Sequence, residues 1–313
     1  MIRVRETDGD QTEPMAKILL CHPLFLSQSP NEAASSSPYF PLGLLYLAAY
    51  VRERGHQVAV FDGTFEADES AFEKALAAES ADMVGISVLQ TTVETAMRLA
   101  EMAKSAGVYV MVGGPEPTRD PRAFLRYEQV DVVVHHEGEQ TLAALLDLCD
   151  AGKLIDASLA AEWGIAYRDR EGNPVVNQPR PPIQNLDELP LPARDLIDMD
   201  KYLETWTELN GYSSMTISMS RGCPYGCQWC RDAVHGNDFR QRSPANVAAE
   251  MKMLKESYRF DRLRVVDDVD GLSREWIDSW AAAADEADAL LPFEALNDLK
   301  RQDLPMLDVR DSL

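Results

Sequence analysis

Between residues 17 and 150, short apolar runs alternate with longer stretches in which apolar residues recur at helical spacing. The apolar runs are continuous, which is typical of strands buried on both faces of a parallel sheet. Each run is followed by helical sequence, so the pattern predicts an α/β fold with helices on both faces of the sheet. The predicted strands are KILLCHP, QVAVFD, DMVGISV, VYVMVGG and VDVVVHH.

Polar residues and glycines gather where these predicted strands end. Ligands of open parallel sheets bind beyond the carboxyl ends of the strands, and glycines there let a ligand approach the backbone closely. The sequence therefore predicts a ligand site at this edge of the sheet. Its candidate residues are Ser87, Gly113, Gly114, Glu137, Gly138 and Glu139.

The sequence changes character after residue 150. Two β-prone stretches flank residues 171–173 and predict a hairpin, and the proline-rich RPPIQNLDELPLPARDL predicts an extended connector. MTISMS then opens a second series of strands and helices, in which Ser243 and Pro244 predict a helix start. The expected organisation is a flexible tail at 1–16, a doubly wound domain at 17–150, a hairpin and connector at 151–214, and a second α/β domain at 215–313.

The chain is strongly acidic, because 52 Asp and Glu against 30 Lys and Arg give a formal net charge of −22. Nucleic-acid binding relies on cations that neutralise phosphates, so nucleic acid is not expected as a partner. No apolar run reaches the roughly 20 residues of a membrane span, and the first residues lack the apolar stretch of a secretion signal. These features predict a cytoplasmic protein without a membrane partner.

Three of the five cysteines lie within eight residues of one another, at Cys223, Cys227 and Cys230. Three thiolates at this spacing, in a loop with glycines, can bind three irons of a 4Fe–4S cubane and leave the fourth iron open for a ligand. One alternative is a zinc site with His235 as fourth ligand, although structural zinc usually takes paired cysteines. The other is three unrelated buried thiols. Cys21 and Cys149 are expected to be small core residues.

The segment CPYGCQWC, directly after a predicted strand, resembles the C-x3-C-x-aromatic-C loop of radical S-adenosylmethionine enzymes. The resemblance implies that the three cysteines bind a 4Fe–4S cluster whose open iron is chelated by the amine and carboxylate of S-adenosylmethionine. It also implies that Trp229 lies by the adenine. A reductant such as flavodoxin or ferredoxin would supply the electron that yields a 5′-deoxyadenosyl radical.

Stretches on both sides of this loop resemble the cobalamin-binding branch of the family. They are FPLGLLYLAAYVRERGHQVAVFD, VGGPEPT, the EGE of residues 137–139, LDELPLPARDL and FRQRSPANVAAEM. The resemblance implies that cobalamin binds at the carboxyl ends of the first sheet. The sequence lacks the D-x-H-x-x-G motif that supplies an axial histidine in other cobalamin proteins, so no protein histidine is expected to coordinate the cobalt. The alternative is a domain that keeps the fold without the cofactor.

The resemblance as a whole implies a cobalamin-dependent radical S-adenosylmethionine enzyme that transfers a methyl group to an unactivated carbon of a small-molecule or peptide substrate. Two alternatives are a radical enzyme of another reaction type, such as ring contraction or rearrangement, and a non-catalytic accessory protein that binds the cofactors. The expected fold is a doubly wound parallel sheet followed by a partial, truncated radical-enzyme (β/α) barrel. Its last predicted strand, PFEAL, would be an exposed edge, which predicts self-association or a partner chain there.

Six further residues each have two possible roles. By the same resemblance, Asp267 and Asp268 would accept hydrogen bonds from the methionyl amine; the alternative is an exposed acidic turn. His22 would either face the corrin or be a hydrogen-bonded loop residue, and the loop position is favoured. His235 and Arg240 or Arg242 would either close the cysteine loop or lie on the surface, and the surface position is favoured.

Overall fold

The structure is a computed structural model that describes residues 15–29, 37–225, 234–268 and 273–294. The described chain divides into two compact units. The N-terminal unit comprises residues 15–29, 43–182 and 192–197, and the C-terminal unit comprises the remaining described residues.

The N-terminal unit is built on one sheet that has seven strands within the described residues, in the order β2-β1-β3-β4-β5-β6-β7. Strands β1 to β5 are mutually parallel, which confirms the predicted parallel sheet. The strands are β1 Lys17–His22, β2 Gln57–Asp62, β3 Met83–Ser87, β4 Tyr109–Gly113, β5 Val132–Val134, β6 Ile165–Arg168 and β7 Pro174–Val176.

The helices of this unit lie between successive strands along the chain. They are α1 Leu42–Glu53, α2 Ser70–Glu79, α3 Val93–Ser105, the short α4 Pro115–Arg119 and α5 Pro121–Phe124, α6 Glu139–Asp150 and α7 Asp156–Leu159. The chain moves from β1 to one neighbour, β2, and then returns across the sheet to the other neighbour, β3. Because parallel connections are right-handed, the reversal puts α1 on one face and α2 and α3 on the other. This is the doubly wound arrangement predicted from the sequence.

Strands β1 to β5 supply apolar side chains to both faces of this sheet. One cluster combines strand residues with side chains of α2 and α3, such as Phe72 and Leu99. The strand members nearest the carboxyl ends are Cys21, Phe61, Ile86, Val112 and Val133. Cys21 is therefore a buried core residue, as predicted. The alternate positions on the same strands face the opposite way.

The predicted hairpin is present as β6 and β7, which pair in antiparallel fashion, with a turn in which Gly172 has a φ of +84°. The hairpin is not a separate part of the connector, however. β6 also pairs with β5 in antiparallel fashion, so the hairpin extends the first sheet, and the N-terminal unit continues to Pro182. Local propensity indicated the two strands but carried no information about which third strand they would join.

The C-terminal unit contains, within the described residues, a parallel sheet in the order β12-β11-β8 and a small antiparallel pair, β9 with β10. Its elements are α8 Met199–Asn210, β8 Ser214–Ile217, β9 Ser220–Arg221, β10 Arg240–Gln241, α9 Pro244–Ser257, β11 Arg262–Val265, α10 Arg274–Glu286 and β12 Phe293–Glu294. The chain after residue 294 lies outside the described residues, so association along PFEAL stays a prediction.

Helix α8 was not anticipated from the sequence. Asp198 caps its start by accepting a hydrogen bond from the Lys201 backbone N–H, and Gly211, with a φ of +78°, follows its end. Its apolar positions repeat at helical spacing and include Tyr202 and Trp206, both buried. The Trp206 indole N–H donates to the Pro38 carbonyl at 2.6 Å. The sequence contains a helix cap and helical spacing of apolar residues. The prolines before them nevertheless led to the prediction that the whole stretch up to residue 214 is a connector.

The predicted tail at residues 1–16 is described only from residue 15 onward. Ala16 is 1% exposed, and its backbone N–H donates to an Asp150 carboxylate oxygen at 2.5 Å, so this residue of the predicted tail packs against the N-terminal unit. Among the helices of the described residues, none combines the length and the apolar character that crossing a bilayer requires.

Candidate functional site

The carboxyl edge of the first sheet carries one row of neighbouring residues on four parallel strands. Asp62 lies beside His22, and Ser87 lies beside Gly113. Continuing the β1–β3 register by one residue places His22 beside Ser87. Paired residues of a sheet present their side chains on the same face. The row is therefore opposite the apolar cluster that packs under α2 and α3, and it spans the point where the strand order reverses, which is where such sheets bind ligands.

Gly113 and Gly114 leave bare backbone in this row. Gly114 has a φ of +104°, and a Cβ atom there would lie 3.1 Å from the Val88 carbonyl oxygen and 3.2 Å from its nitrogen. The Val88 N–H donates to the Gly113 carbonyl at 2.8 Å, which fixes this close approach. Position 114 therefore requires glycine, both for its backbone conformation and for the space. The Gly114 backbone is thereby held against the Val88 backbone.

His22 is 6% exposed, and its ring Nε2 has no hydrogen-bond partner among the described residues. Burial lowers the pKa of His22, and the charge of Asp62 opposes that shift only in part. The prediction of a hydrogen-bonded loop residue is therefore wrong for this nitrogen. A buried polar atom without a partner costs about 1–3 kcal/mol, so a water molecule or a ligand usually supplies the missing hydrogen bond.

The segment after β5 is more enclosed than the sequence suggested. Glu137 and Glu139 are buried, at 7% and 4% exposure, and Gly138 is half-buried with space for a Cβ limited by the Leu47 side chain at 3.1 Å. Glu139 opens α6, where the helix dipole favours an acidic side chain. The structure brings these residues to the correct edge of the sheet, but a ligand contact for either carboxylate stays a prediction.

We expect the folded N-terminal unit to lose stability in mild acid. Burial lowers the pKa of His22 and of His135 below the ordinary value of 6.5. A lowered folded-state pKa means that the unfolded chain binds protons first, so this stability is present above about pH 6.5 and is lost as the pH falls through the folded pKa values. Urea midpoints measured from about pH 8 to about pH 5 should fall, and the fall should be smaller in His22→Gln/His135→Gln. An identical pH dependence in that variant would contradict the assignment.

The cysteine loop of the C-terminal unit is closed at its base. Strands β9 and β10 pair across it, with Arg240 opposite Arg221. Gly222 has a φ of +78°, and a Cβ there would lie 2.5 Å from the Asp238 carbonyl oxygen. The Cys223 N–H donates to the Gly236 carbonyl at 3.1 Å. Cys223 is half-buried within this base, whereas Cys227, Trp229 and Cys230 lie outside the described residues.

Asn237 follows the cysteine loop along the chain and binds the backbone at the start of that loop. Its side-chain amide donates to the Cys223 carbonyl at 3.3 Å and to the Tyr225 carbonyl at 3.2 Å. One side chain thereby links the end of the loop to the backbone on either side of Pro224. Sequence reasoning did not identify Asn237, because nothing in its local pattern shows that it contacts a backbone twelve residues or more away.

Asp267 lies at the end of β11 and is 5% exposed. Its carboxylate accepts hydrogen bonds from the Ser218 hydroxyl at 2.9 Å, the Met219 N–H at 2.9 Å and the Ser220 hydroxyl at 2.8 Å. Burial raises the pKa of Asp267, and these hydrogen bonds oppose that shift. Asp267 therefore anchors the segment that leads into the cysteine loop, while Asp268 is exposed. Contact of either carboxylate with a methionyl amine stays a prediction.

Arg240 and Arg242 are both 5% exposed, so the favoured surface positions were wrong. Arg240 donates to the Ile183 carbonyl at 2.8 Å. Arg242 forms an ion pair with Glu250, which is 0% exposed, and donates to the Ser218 carbonyl at 2.8 Å. Long cationic side chains are rarely buried without such partners. Arg242 thereby binds the segment that precedes the cysteine loop, and Arg240, on β10, links the base of that loop to Ile183.

Comparisons with known proteins agree with this picture. Residues 32–146 match the B12 binding domain family. The chain is 34% identical over 265 residues to an uncharacterized methyltransferase, PH0819, of Pyrococcus horikoshii, covering 83% of this chain and 55% of that protein. It is 26% identical over 247 residues to the anaerobic magnesium-protoporphyrin IX monomethyl ester cyclase of Rubrivivax gelatinosus, covering 77% of this chain and 43% of that protein. The chain thus spans about half the length of the curated relatives it matches.

A solved structure shares the fold of the described chain. It is the cobalamin-dependent S-adenosylmethionine radical enzyme OxsB, with aqua-cobalamin and S-adenosylmethionine bound. The TM-score is 0.74 at 20% identity, covering 89% of this chain and 38% of that chain. At this identity the likeness supports the fold and leaves the chemistry to be argued from the residues themselves.

Proposed function

Because the chain belongs to the cobalamin-binding branch of the radical S-adenosylmethionine enzymes, we propose that it serves a cobalamin-dependent methyl transfer to an unactivated carbon. The observation that carries this proposal is the match of residues 32–146 to the B12 binding domain in a chain 34% identical to a methyltransferase. The substrate is a small molecule or a peptide, and a flavodoxin- or ferredoxin-type protein supplies electrons. Thiolate ligands suit the reducing cytoplasm.

The residues at the carboxyl edge of the first sheet fit cobalamin. Gly113 lies in the row at this edge, and neither it nor Gly114, which follows it, places a side chain there. Ser87 is the neighbour of Gly113 in the same row, and His22 offers a buried nitrogen that lacks a partner. Bound cobalamin would supply a carrier for the methyl group. The role of these residues is to hold it in place, with His22 hydrogen-bonded to one of its polar groups.

The cysteine loop fits a 4Fe–4S cluster by the chemistry of its donors. Cys223, Cys227 and Cys230 supply three thiolates, so one iron would stay open. With S-adenosylmethionine on that iron, the cluster would supply the radical chemistry. Gly222 and Asn237 hold the loop base by the contacts described above. We assign Trp229 to the adenine.

The carboxylates after β11 complete the proposed S-adenosylmethionine site. Asp268 is exposed and therefore accessible to the methionyl ammonium. Asp267 already accepts hydrogen bonds from its own chain, and its role toward the ligand is to set the direction of the loop. Any direct hydrogen bond from the ammonium to Asp267 would add to those bonds.

Products of S-adenosylmethionine test the proposed reaction. The chain would be reconstituted anaerobically with iron, sulfide and cobalamin, then supplied with reductant and S-adenosylmethionine. Methyl transfer with radical cleavage should give both S-adenosylhomocysteine and 5′-deoxyadenosine. A radical enzyme of another reaction type would give only 5′-deoxyadenosine, and an accessory protein would give neither product. Either of those outcomes would overturn the proposal.

Replacement of His22 by phenylalanine should weaken cobalamin binding about 5-fold to 100-fold, the equivalent of one hydrogen bond to a buried group. Equilibrium dialysis of the full chain measures the effect, with His235→Phe in the C-terminal unit as the matched control. Paramagnetic resonance of the cob(II)alamin form should be the same in wild type and His22→Phe, because His22 donates or accepts a hydrogen bond without coordinating cobalt. Unchanged affinity would refute the contact, and a nitrogen splitting lost in the variant would show coordination instead.

A further inference from the structure

A second cluster of polar side chains lies at the opposite edge of the first sheet, where the strands begin. His56 directly precedes β2, and Asp147 and Asp150 occupy the last turn of α6. The Asp150 carboxylate is fixed in place, because one of its oxygens accepts the Ala16 N–H just before β1 at 2.5 Å. Three separate parts of the N-terminal unit therefore meet at this cluster, far along the strands from the residues proposed to hold cobalamin.

The imidazole of His56 lies between the two carboxylates. His56 is 3% exposed. Its Nε2 is 3.2 Å from an oxygen of Asp147, and its Nδ1 is 3.4 Å from the free oxygen of Asp150. One ligand atom from each of the three residues can be chosen so that all lie within 4.8 Å of one another. Nδ1 nevertheless has no hydrogen-bond partner among the described residues.

This arrangement places two hydrogen-bond acceptors against each other. A neutral imidazole carries one N–H, and if that hydrogen points from Nε2 to Asp147, the lone pair of Nδ1 faces the carboxylate of Asp150. Two carboxylates in the last turn of a helix are also opposed by the negative end of the helix dipole. Both features are unfavourable without a cation at the cluster. The occupant is either a proton on His56 or a metal ion.

The distances favour the metal ion. A charge-assisted N–H···O bond usually spans about 2.7–2.9 Å, which is shorter than the 3.4 Å between Nδ1 and Asp150. Two ligands each about 2.1 Å from a tetrahedral zinc lie about 3.4 Å apart. A metal-binding histidine also usually donates its other ring N–H to a carboxylate, which is the position that Asp147 occupies.

We propose that His56, Asp147 and Asp150 form a binding site for a divalent cation of the zinc type. The ion joins the end of α6 to the starts of β1 and β2, so its role is to stabilise the N-terminal unit and not to take part in the reaction. The inner ligands of the ion are Nδ1 of His56 and the Asp150 oxygen that does not accept the Ala16 N–H. Asp147, whose side chain is 70% exposed, either orients the ring or enters the coordination shell itself.

Zinc binding to the full chain tests the site. The cysteines of the loop would first be replaced by serine, because thiolates there also bind zinc. Equilibrium dialysis followed by elemental analysis should then give about one zinc per chain, and added zinc should raise the thermal midpoint of unfolding. Asp147→Asn, which changes an exposed side chain, and His56→Gln should each weaken zinc binding at least about tenfold.

The matched control is Glu53→Gln, which removes one exposed carboxylate from the last turn of α1. It should leave zinc affinity and the zinc-dependent shift in midpoint unchanged. The proposal is overturned if the chain without its loop cysteines holds no zinc, or if Asp147→Asn and Glu53→Gln bind it equally. It is also overturned if His56→Gln folds and keeps the wild-type affinity, because the ring is then only an ion-pair partner.

Discussion

Replacement of Cys223, Cys227 or Cys230 by alanine is expected to abolish the iron–sulfur cluster. A cubane held by three protein thiolates keeps one iron open, and loss of another ligand leaves only two attachments to the chain. The chain reconstituted anaerobically should carry about four irons and a broad visible absorption. Each single variant should lose both signals, although Gly222 and Asn237 still shape the loop base.

Cys149→Ala is the matched control for this prediction, since Cys149 is a half-buried cysteine on α6 in the other unit. Cys21→Ala should also keep its iron, with some loss of stability because Cys21 is in the core. Iron content that survives a single replacement in the loop would contradict the ligand assignment. Stoichiometric zinc that disappears with the loop cysteines would indicate the alternative zinc site.

Glu250→Gln is expected to destabilise the C-terminal unit by about 3–5 kcal/mol, because it leaves the Arg242 guanidinium buried without its counter-charge. The pair is enclosed, with Glu250 at 0% and Arg242 at 5% exposure. Arg242 also donates to the Ser218 carbonyl at 2.8 Å, and its own carbonyl accepts the Trp276 indole N–H at 3.0 Å. Urea unfolding followed by tryptophan fluorescence measures the loss.

Glu256→Gln on the same helix, α9, is the control, because Glu256 is exposed and its replacement should change stability by less than about 0.5 kcal/mol. Arg242→Met/Glu250→Met should recover much of the loss, since replacing a buried ion pair with apolar residues is often close to neutral. Equal stability of the two glutamine variants would refute the importance of the pair. The unfolding of Glu250→Gln should also be accompanied by easier loss of iron, because Ser218 leads into the cysteine loop.

The parallel sheet of the N-terminal unit was predictable because it is specified by local sequence. Each strand is a continuous apolar run followed by helical sequence, and the rule of right-handed connections leaves few topologies for such a series. The place of the hairpin was not predictable. β6 forms its hydrogen bonds with β5, which precedes it by about thirty residues, and strand propensity does not select a partner.

Some residues of the candidate site were likewise predictable from the sequence, and others were not. The three cysteines and the glycines at 113 and 114 were found from sequence, because each is part of a short segment whose spacing carries its meaning. His22 was interpreted wrongly, since whether a buried nitrogen has a partner depends on its neighbours in space. Helix α8 was missed for a different reason, because prolines before it dominated the interpretation of a stretch that also contained a helix cap.

The sequence by itself indicated the alternation of strands and helices in the first sheet, the edge of that sheet where a ligand is expected, and the three cysteines expected to bind a cluster. Only the tertiary structure decided which charged residues hold distant parts of the chain together. Asp267 reaches Met219 across 48 residues of chain, Asp150 reaches Ala16 across 134, and Arg242 is buried against Glu250. The physical reason is that a charge is stabilised by whatever partner folding brings within a few ångströms. Spacing along the chain records only neighbours in sequence, and those partners come from other strands and helices.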